Sequence, residues 1–115
     1  MGQLTTHVLD TARGKPGAGI RIDLYRDSAD RAHVKTVYTN QDGRTDAPLL
    51  EGDDFEAGTW ELMFTVDEYF ARSGDATDTP PFLDRVTLRF TTAKDVDYHV
   101  PLLVSPWSYS TYRGS

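Results

Sequence analysis

The chain contains no cysteine. That one absence excludes disulfides, thiolate nucleophiles, cysteine-ligated zinc and iron–sulfur clusters. Histidine is scarce: His7, His33 and His99 are the three in 115 residues, so acid–base chemistry near neutral pH has few side chains to draw on. Basic residues are outnumbered, 12 Lys and Arg against 18 Asp and Glu, for a formal net charge of −6. A general nucleic-acid binder would show the opposite surplus. Long apolar runs are missing too. The longest, residues 100–104, is far short of the roughly 20 that a membrane-spanning helix needs. Residues 1–5 carry no basic and apolar leader, and Arg113-Gly114-Ser115 is not a Ser-Lys-Leu address. A cytoplasmic chain with neither membrane nor nucleic-acid partners is expected.

What is present is alternation. One domain over residues 1–115 suits this length, which can bury a core without staples. In residues 59–66, Trp60, Leu62, Phe64 and Val66 take one face and Thr59, Glu61 and Thr65 the other. Residues 85–91 set Val86, Leu88 and Phe90 against Arg85, Thr87 and Arg89, and residues 20–25 set Ile20, Ile22 and Leu24 against Arg21 and Asp23. Such period-two segments are half-buried strands. Further strands are expected at 3–9, 34–38, 98–105 and 107–113, separated by Gly14-Lys15-Pro16-Gly17, Asn40-Gln41-Asp42-Gly43, Glu51-Gly52-Asp53-Asp54 and Thr79-Pro80-Pro81. Seven or eight short strands spaced in this way predict a β-sandwich. Residues 67–74 depart from the pattern. An acidic pair, Tyr69 and Phe70, and a closing Gly74 predict one short helix.

Two strands have an outer face that is wrong for open water. With Tyr98, Val100, Leu102 and Val104 inward, the opposite face is His99, Pro101, Leu103 and Ser105. With Leu4, Thr6 and Val8 inward, Thr5, His7 and Leu9 lie outside. Both histidines thus project from an apolar outer sheet face, which another subunit would cover most simply. If Trp107 and Tyr109 are core, Ser108, Ser110 and Tyr112 join that face. His33, beside a loop, is expected to be merely solvated. Metal binding by His7 and His99 lacks a third ligand at suitable spacing, and nearby arginines oppose a cation. Neither a metal nor a cofactor is therefore expected. Gly-rich phosphate loops and the Gly-x-Ser-x-Gly nucleophile motif are absent.

Taken together, the segments resemble a known family. Residues 4–11, Leu4-Thr5-Thr6-His7-Val8-Leu9-Asp10-Thr11, are followed by Gly14-Lys15-Pro16 and by Thr39-Asn40-Gln41-Asp42-Gly43-Arg44. Tyr98-His99-Val100-Pro101-Leu102-Leu103-Val104-Ser105-Pro106 and Ser108-Tyr109-Ser110-Thr111-Tyr112-Arg113-Gly114-Ser115 complete the set. These resemble the transthyretin-like family, and within it the 5-hydroxyisourate hydrolase branch. The Tyr-Arg-Gly-Ser end, with His7 and His99, separates that branch from the hormone carriers. The resemblance implies an all-β, two-sheet, eight-stranded transthyretin-like (prealbumin-like) sandwich with one short helix. It also implies a homotetramer, a dimer of dimers, whose central channel is walled by the apolar outer face. The implied reaction is ring-opening hydrolysis of 5-hydroxyisourate to 2-oxo-4-hydroxy-4-carboxy-5-ureidoimidazoline, without a cofactor.

The residue types suit that chemistry. Attack of water on a carbonyl needs a base and a donor for the developing oxyanion. His7 and His99 are the expected acid–base pair, with the choice of base open. Arg44 offers a fixed fork of donors that lysine does not match. Tyr112 would narrow and shape the pocket and contact substrate with His7 and Arg44. Ser110, Arg113, Gly114 and the Ser115 carboxylate would orient the site. Two other readings share the fold: a small-ligand carrier, which Tyr112 would obstruct, and a noncatalytic accessory module, which would not need the histidines.

Overall fold

The computed structural model describes residues 2–74 and 79–114. Its strands are β1 (Gln3–Asp10), β2 (Lys15–Pro16), β3 (Arg21–Arg26), β4 (Ala32–Tyr38), β5 (Leu50–Glu51), β6 (Gly58–Thr65), β7 (Arg85–Thr92), β8 (Tyr98–Val104) and β9 (Tyr109–Thr111). The single α-helix among them, α1, spans Val66–Ser73. One sheet has the order β2-β1-β8-β9, with β5 also on β1, and the other is β4-β3-β6-β7. The expected all-β two-sheet sandwich with one short helix is therefore found. Nine strands are described rather than eight: seven fall on the predicted segments, and two-residue pieces, one inside Gly14–Gly17 and one running into Glu51–Asp54, pair with β1. Two residues are too few to show any period.

The predicted alternation sets what is buried. Leu4, Thr6 and Val8 of β1 and Val100, Leu102 and Val104 of β8 are buried on the inner side of the first sheet, with Thr6 beside Val100 and Val8 beside Leu102. Ile22, Leu24, Trp60, Leu62, Phe64, Val86 and Leu88 fill the core from the second. The last strand departs from expectation. Tyr109 pairs with Val104 and so has the core-facing phase, yet it is 47% exposed, and Trp107 is 53% exposed. Phase alone does not bury a side chain at a sheet edge. β9 and β7 are both edge strands, and between them lies a groove of about 290 Å3 lined by Leu88, Phe90, Tyr98, Val100 and Tyr112.

The helix begins at Val66, one residue before the acidic pair, and ends where Gly74 takes a left-handed conformation at φ 82°. Asp67 and Glu68 occupy its first turn and Arg72 its last, complementing the helix dipole. Tyr69 and Phe70 are buried. The Tyr69 hydroxyl donates to Asp10 Oδ2 at 2.7 Å, while Asp10 Oδ1 accepts from the amides of Ala12 and Arg13. One buried carboxylate thus ties the helix to the end of β1.

The outer faces of the two sheets differ. The second carries a polar ladder in which Arg31 and Arg89 both reach Glu61 and Arg89 also reaches Asp27. His33 belongs to it: the ring is exposed as expected, but Nε2 lies 3.1 Å from Asp23 Oδ1 and 3.0 Å from Thr36 Oγ1. Burial alone would raise the Asp23 pKa, but hydrogen bonds from Thr36, Arg21 and His33 outweigh it and hold the carboxyl below its ordinary value. A face so well supplied with charge is at home in water. Among the described residues no helix is long and apolar enough to cross a membrane.

Candidate active site

The outer face of the first sheet is built by one parallel pairing. β1 and β8 align Thr5 with His99, His7 with Pro101 and Leu9 with Leu103. Alternation sends all six side chains to the same side, so His7 and His99 are diagonal neighbours. Pro101 is buried and Leu9, Leu103 and both imidazoles are half-buried. The face is thus largely apolar around two titratable rings.

Arg44 reaches this face from a turn. The Asn40 side-chain oxygen accepts from the amides of Asp42 (2.9 Å) and Arg44 (3.2 Å). The Asn40 amide donates to the Arg44 carbonyl at 2.7 Å, and the Gly43 amide to the Asn40 carbonyl at 3.0 Å. Asn40 Nδ2 donates to Asp46. The turn then docks on β1, where Arg44 bridges His7 and the Val8 amide donates to the Gly43 carbonyl at 2.8 Å. Gly43 is required twice over: its φ is +75°, and a Cβ there would fall 2.4 Å from the Val8 carbonyl oxygen. The same turn holds an imidazole, because His7 Nε2 donates to the Asp42 carbonyl at 3.0 Å.

His99 is held from two sides. Its Nδ1 is 2.9 Å from the Thr5 hydroxyl, and its carbonyl accepts from the Gly114 amide at 2.8 Å. A Cβ on Gly114 would lie 2.5 Å from His99 Cδ2, so only glycine lets the chain end pass this close to the ring. Burial, the Arg44 charge and then His7 hold the His99 pKa below the ordinary imidazole value. The ring is therefore neutral at physiological pH and able to serve as a base or as a neutral donor.

The remaining predicted residues separate. The β8–β9 register puts Ser110 opposite Leu103 and, carried on to the His99–Gly114 bridge, Tyr112 opposite Pro101. Ser110, Tyr112 and Gly114 therefore share the strand phase of the histidines, with Tyr112 59% exposed. Arg113 does not join them: its guanidinium stacks 4.4 Å over the Tyr98 ring, which has the opposite phase. It anchors the chain end without adding charge beside the imidazoles. Ser115 lies outside the described residues. Beside Arg44, a cavity of about 150 Å3 is lined by Thr5, Thr6, Thr45, Ala47 and Pro48.

Two contributors were not singled out from sequence, Asn40 and Thr5. An Asn two residues before Asp-Gly carries a turn signature that marks a backbone-binding side chain. Thr5 shows only in the pairing of β1 with β8, a contact across 94 residues.

Matches to known proteins agree with this fold. The model of the HIUase/Transthyretin family matches residues 4–114. The 5-hydroxyisourate hydrolase of Mesorhizobium japonicum is 58% identical over 115 residues, covering 99% of this chain and 93% of its own. The 5-hydroxyisourate hydrolase structure from Klebsiella pneumoniae superposes with a TM-score of 0.81 at 30% identity, over 98% of this chain and 99% of that one. The crystal structure of (S)-allantoin synthase gives a TM-score of 0.94 at 50% identity. That match covers 99% of this chain but 44% of the other, longer one. With a family match over nearly its whole length, this chain belongs to the HIUase/transthyretin family.

Proposed function

We propose that the chain hydrolyses 5-hydroxyisourate to 2-oxo-4-hydroxy-4-carboxy-5-ureidoimidazoline, using His7, His99 and Arg44 on the outer face of the first sheet. One observation carries the reading: on a largely apolar sheet face, two imidazoles and a turn-mounted arginine converge. Relatives of similar length named for this activity support it.

Each group has a task its chemistry fits. A neutral imidazole takes a proton from water as the oxygen attacks the ring carbonyl. Negative charge then grows on the carbonyl oxygen, where the Arg44 fork supplies donors already in place. The C–N bond breaks with its electron pair going to the ring nitrogen, which receives the proton. Of His7 and His99, one handles the proton and the other serves as a neutral N–H donor. Tyr112 packs against the substrate, while Ser110, Arg113, Gly114 and Ser115 orient the site, Gly114 by its fit against His99. No cofactor takes part.

An open sheet face makes a poor pocket, and burial strengthens every charge interaction in the site. The homotetramer belongs to this reading: a second copy over the first sheet would cover Leu9 and Leu103 and complete the substrate pocket, leaving the charged second sheet in water. A cytoplasmic setting belongs to it as well. The test is to add purified protein to 5-hydroxyisourate freshly made from urate and follow its ultraviolet decay. Decay well above the spontaneous rate is expected; no acceleration would end the claim.

A further inference from the structure

The two imidazoles are held by partners of different kinds. His7 Nε2 meets a carbonyl oxygen, that of Asp42. A carbonyl only accepts, so Nε2 carries the proton and the lone pair of the neutral ring sits on Nδ1. His99 Nδ1 meets the Thr5 hydroxyl, which either donates or accepts.

Counting protons decides between the two. Among the described residues, the hydroxyl of Thr5 has one hydrogen-bond partner, His99 Nδ1. The neighbouring Thr6 hydroxyl is already committed to the Val100 carbonyl at 2.7 Å. Were Nδ1 protonated, Thr5 would accept, and its own hydrogen would lack an acceptor among these residues. With Nδ1 bare, Thr5 donates and both groups are satisfied, as half-buried polar groups ordinarily are. The ring has little room to turn over, because Gly114 lies against its Cδ2 and Cγ edge.

We propose that Thr5 is a positioning residue: its hydroxyl donates to His99 Nδ1, keeps the proton of the neutral ring on Nε2, and so makes His99 the N–H donor and His7 the base. The proposal rests on the hydrolase reading above. Water gives a proton to His7 Nδ1 as its oxygen bonds to the carbonyl carbon. His99 Nε2–H and Arg44 hydrogen-bond the resulting oxyanion, and His99 keeps its proton, as a neutral imidazole must. When the C–N bond breaks, the His7 imidazolium returns the proton to the departing ring nitrogen, and both rings end as they began.

Nitrogen NMR of the histidine-labelled whole protein near pH 8 tests the assignment on wild type, Thr5→Val and Thr5→Ser. In wild type, His99 should show a protonated Nε2 and a bare Nδ1, and His7 the same pattern through Asp42. Thr5→Val should mix the His99 tautomers, leave His7 unchanged and lower kcat about tenfold, the scale of one hydrogen bond, with KM nearly constant. Thr5→Ser should restore both the tautomer and the rate. A protonated Nδ1 on wild-type His99 would overturn the proposal, and so would a Thr5→Val variant with wild-type tautomer and kcat. The tautomer reading needs no substrate, so its failure is distinct from a failure to hydrolyse 5-hydroxyisourate.

Discussion

At the residue scale, the site depends on keeping an imidazole neutral beside a fixed cation. Burial is the leading cause of the lowered His99 pKa, and Arg44 is the next. The sign follows directly: the folded chain holds the His99 proton less tightly than the unfolded chain does. Above the ordinary imidazole value of 6.5 this costs no stability; as pH falls below it, a penalty develops. An NMR titration should therefore place the His99 midpoint below 6.5 in wild type and move it upward, toward that value, in Arg44→Gln. A His99 midpoint unmoved by the arginine substitution would mean that the guanidinium does not act on this ring. His7, His99 and Arg44 were legible in the sequence because so few histidines compete and because their motifs resemble a family. The stacking of Arg113 on Tyr98 was not, since a chain-end arginine has no period to reveal which way it turns.

At the element scale, the turn at residues 40–44 matters more than its length suggests. It presents Arg44, satisfies His7 Nε2 through Asp42, and docks on β1 through Gly43. Gly43→Ala should cost about 2 kcal/mol or more, since a positive φ and a backbone contact are violated together. Thermal or denaturant unfolding measures the loss, and turnover should fall with it as Arg44 shifts. An alanine tolerated in both assays would show that the turn is not tightly docked. Alternation along β1, β3, β6, β7 and β8 was readable because each strand is long enough to show its period. β2 and β5 were hidden by their length, and α1 was betrayed by its acidic start and Gly74. The exposure of Tyr109 and Trp107 could not be read, because it depends on which strand ends up at a sheet edge.

At the scale of the whole molecule, the two outer faces call for different surroundings. Arg31, Glu61, Arg89 and Asp27 suit the second sheet to water, whereas Leu9, Pro101 and Leu103 make the first a surface to cover. The net charge of −6 describes the chain and not this face. Sizing by light scattering should give a particle of four 12.9 kDa chains, and Leu103→Lys, which sets a charge on the apolar face, should shift it toward smaller species and reduce turnover. A wild-type monomer with full activity would contradict a shared site. The most direct test of the central claim compares the decay of fresh 5-hydroxyisourate with wild-type protein, with His7→Ala and with His99→Ala. Wild type should far exceed the spontaneous rate, and each variant should lose at least about a hundredfold, the scale of a group that handles the proton or of an oxyanion donor; variants as fast as wild type would contradict the account.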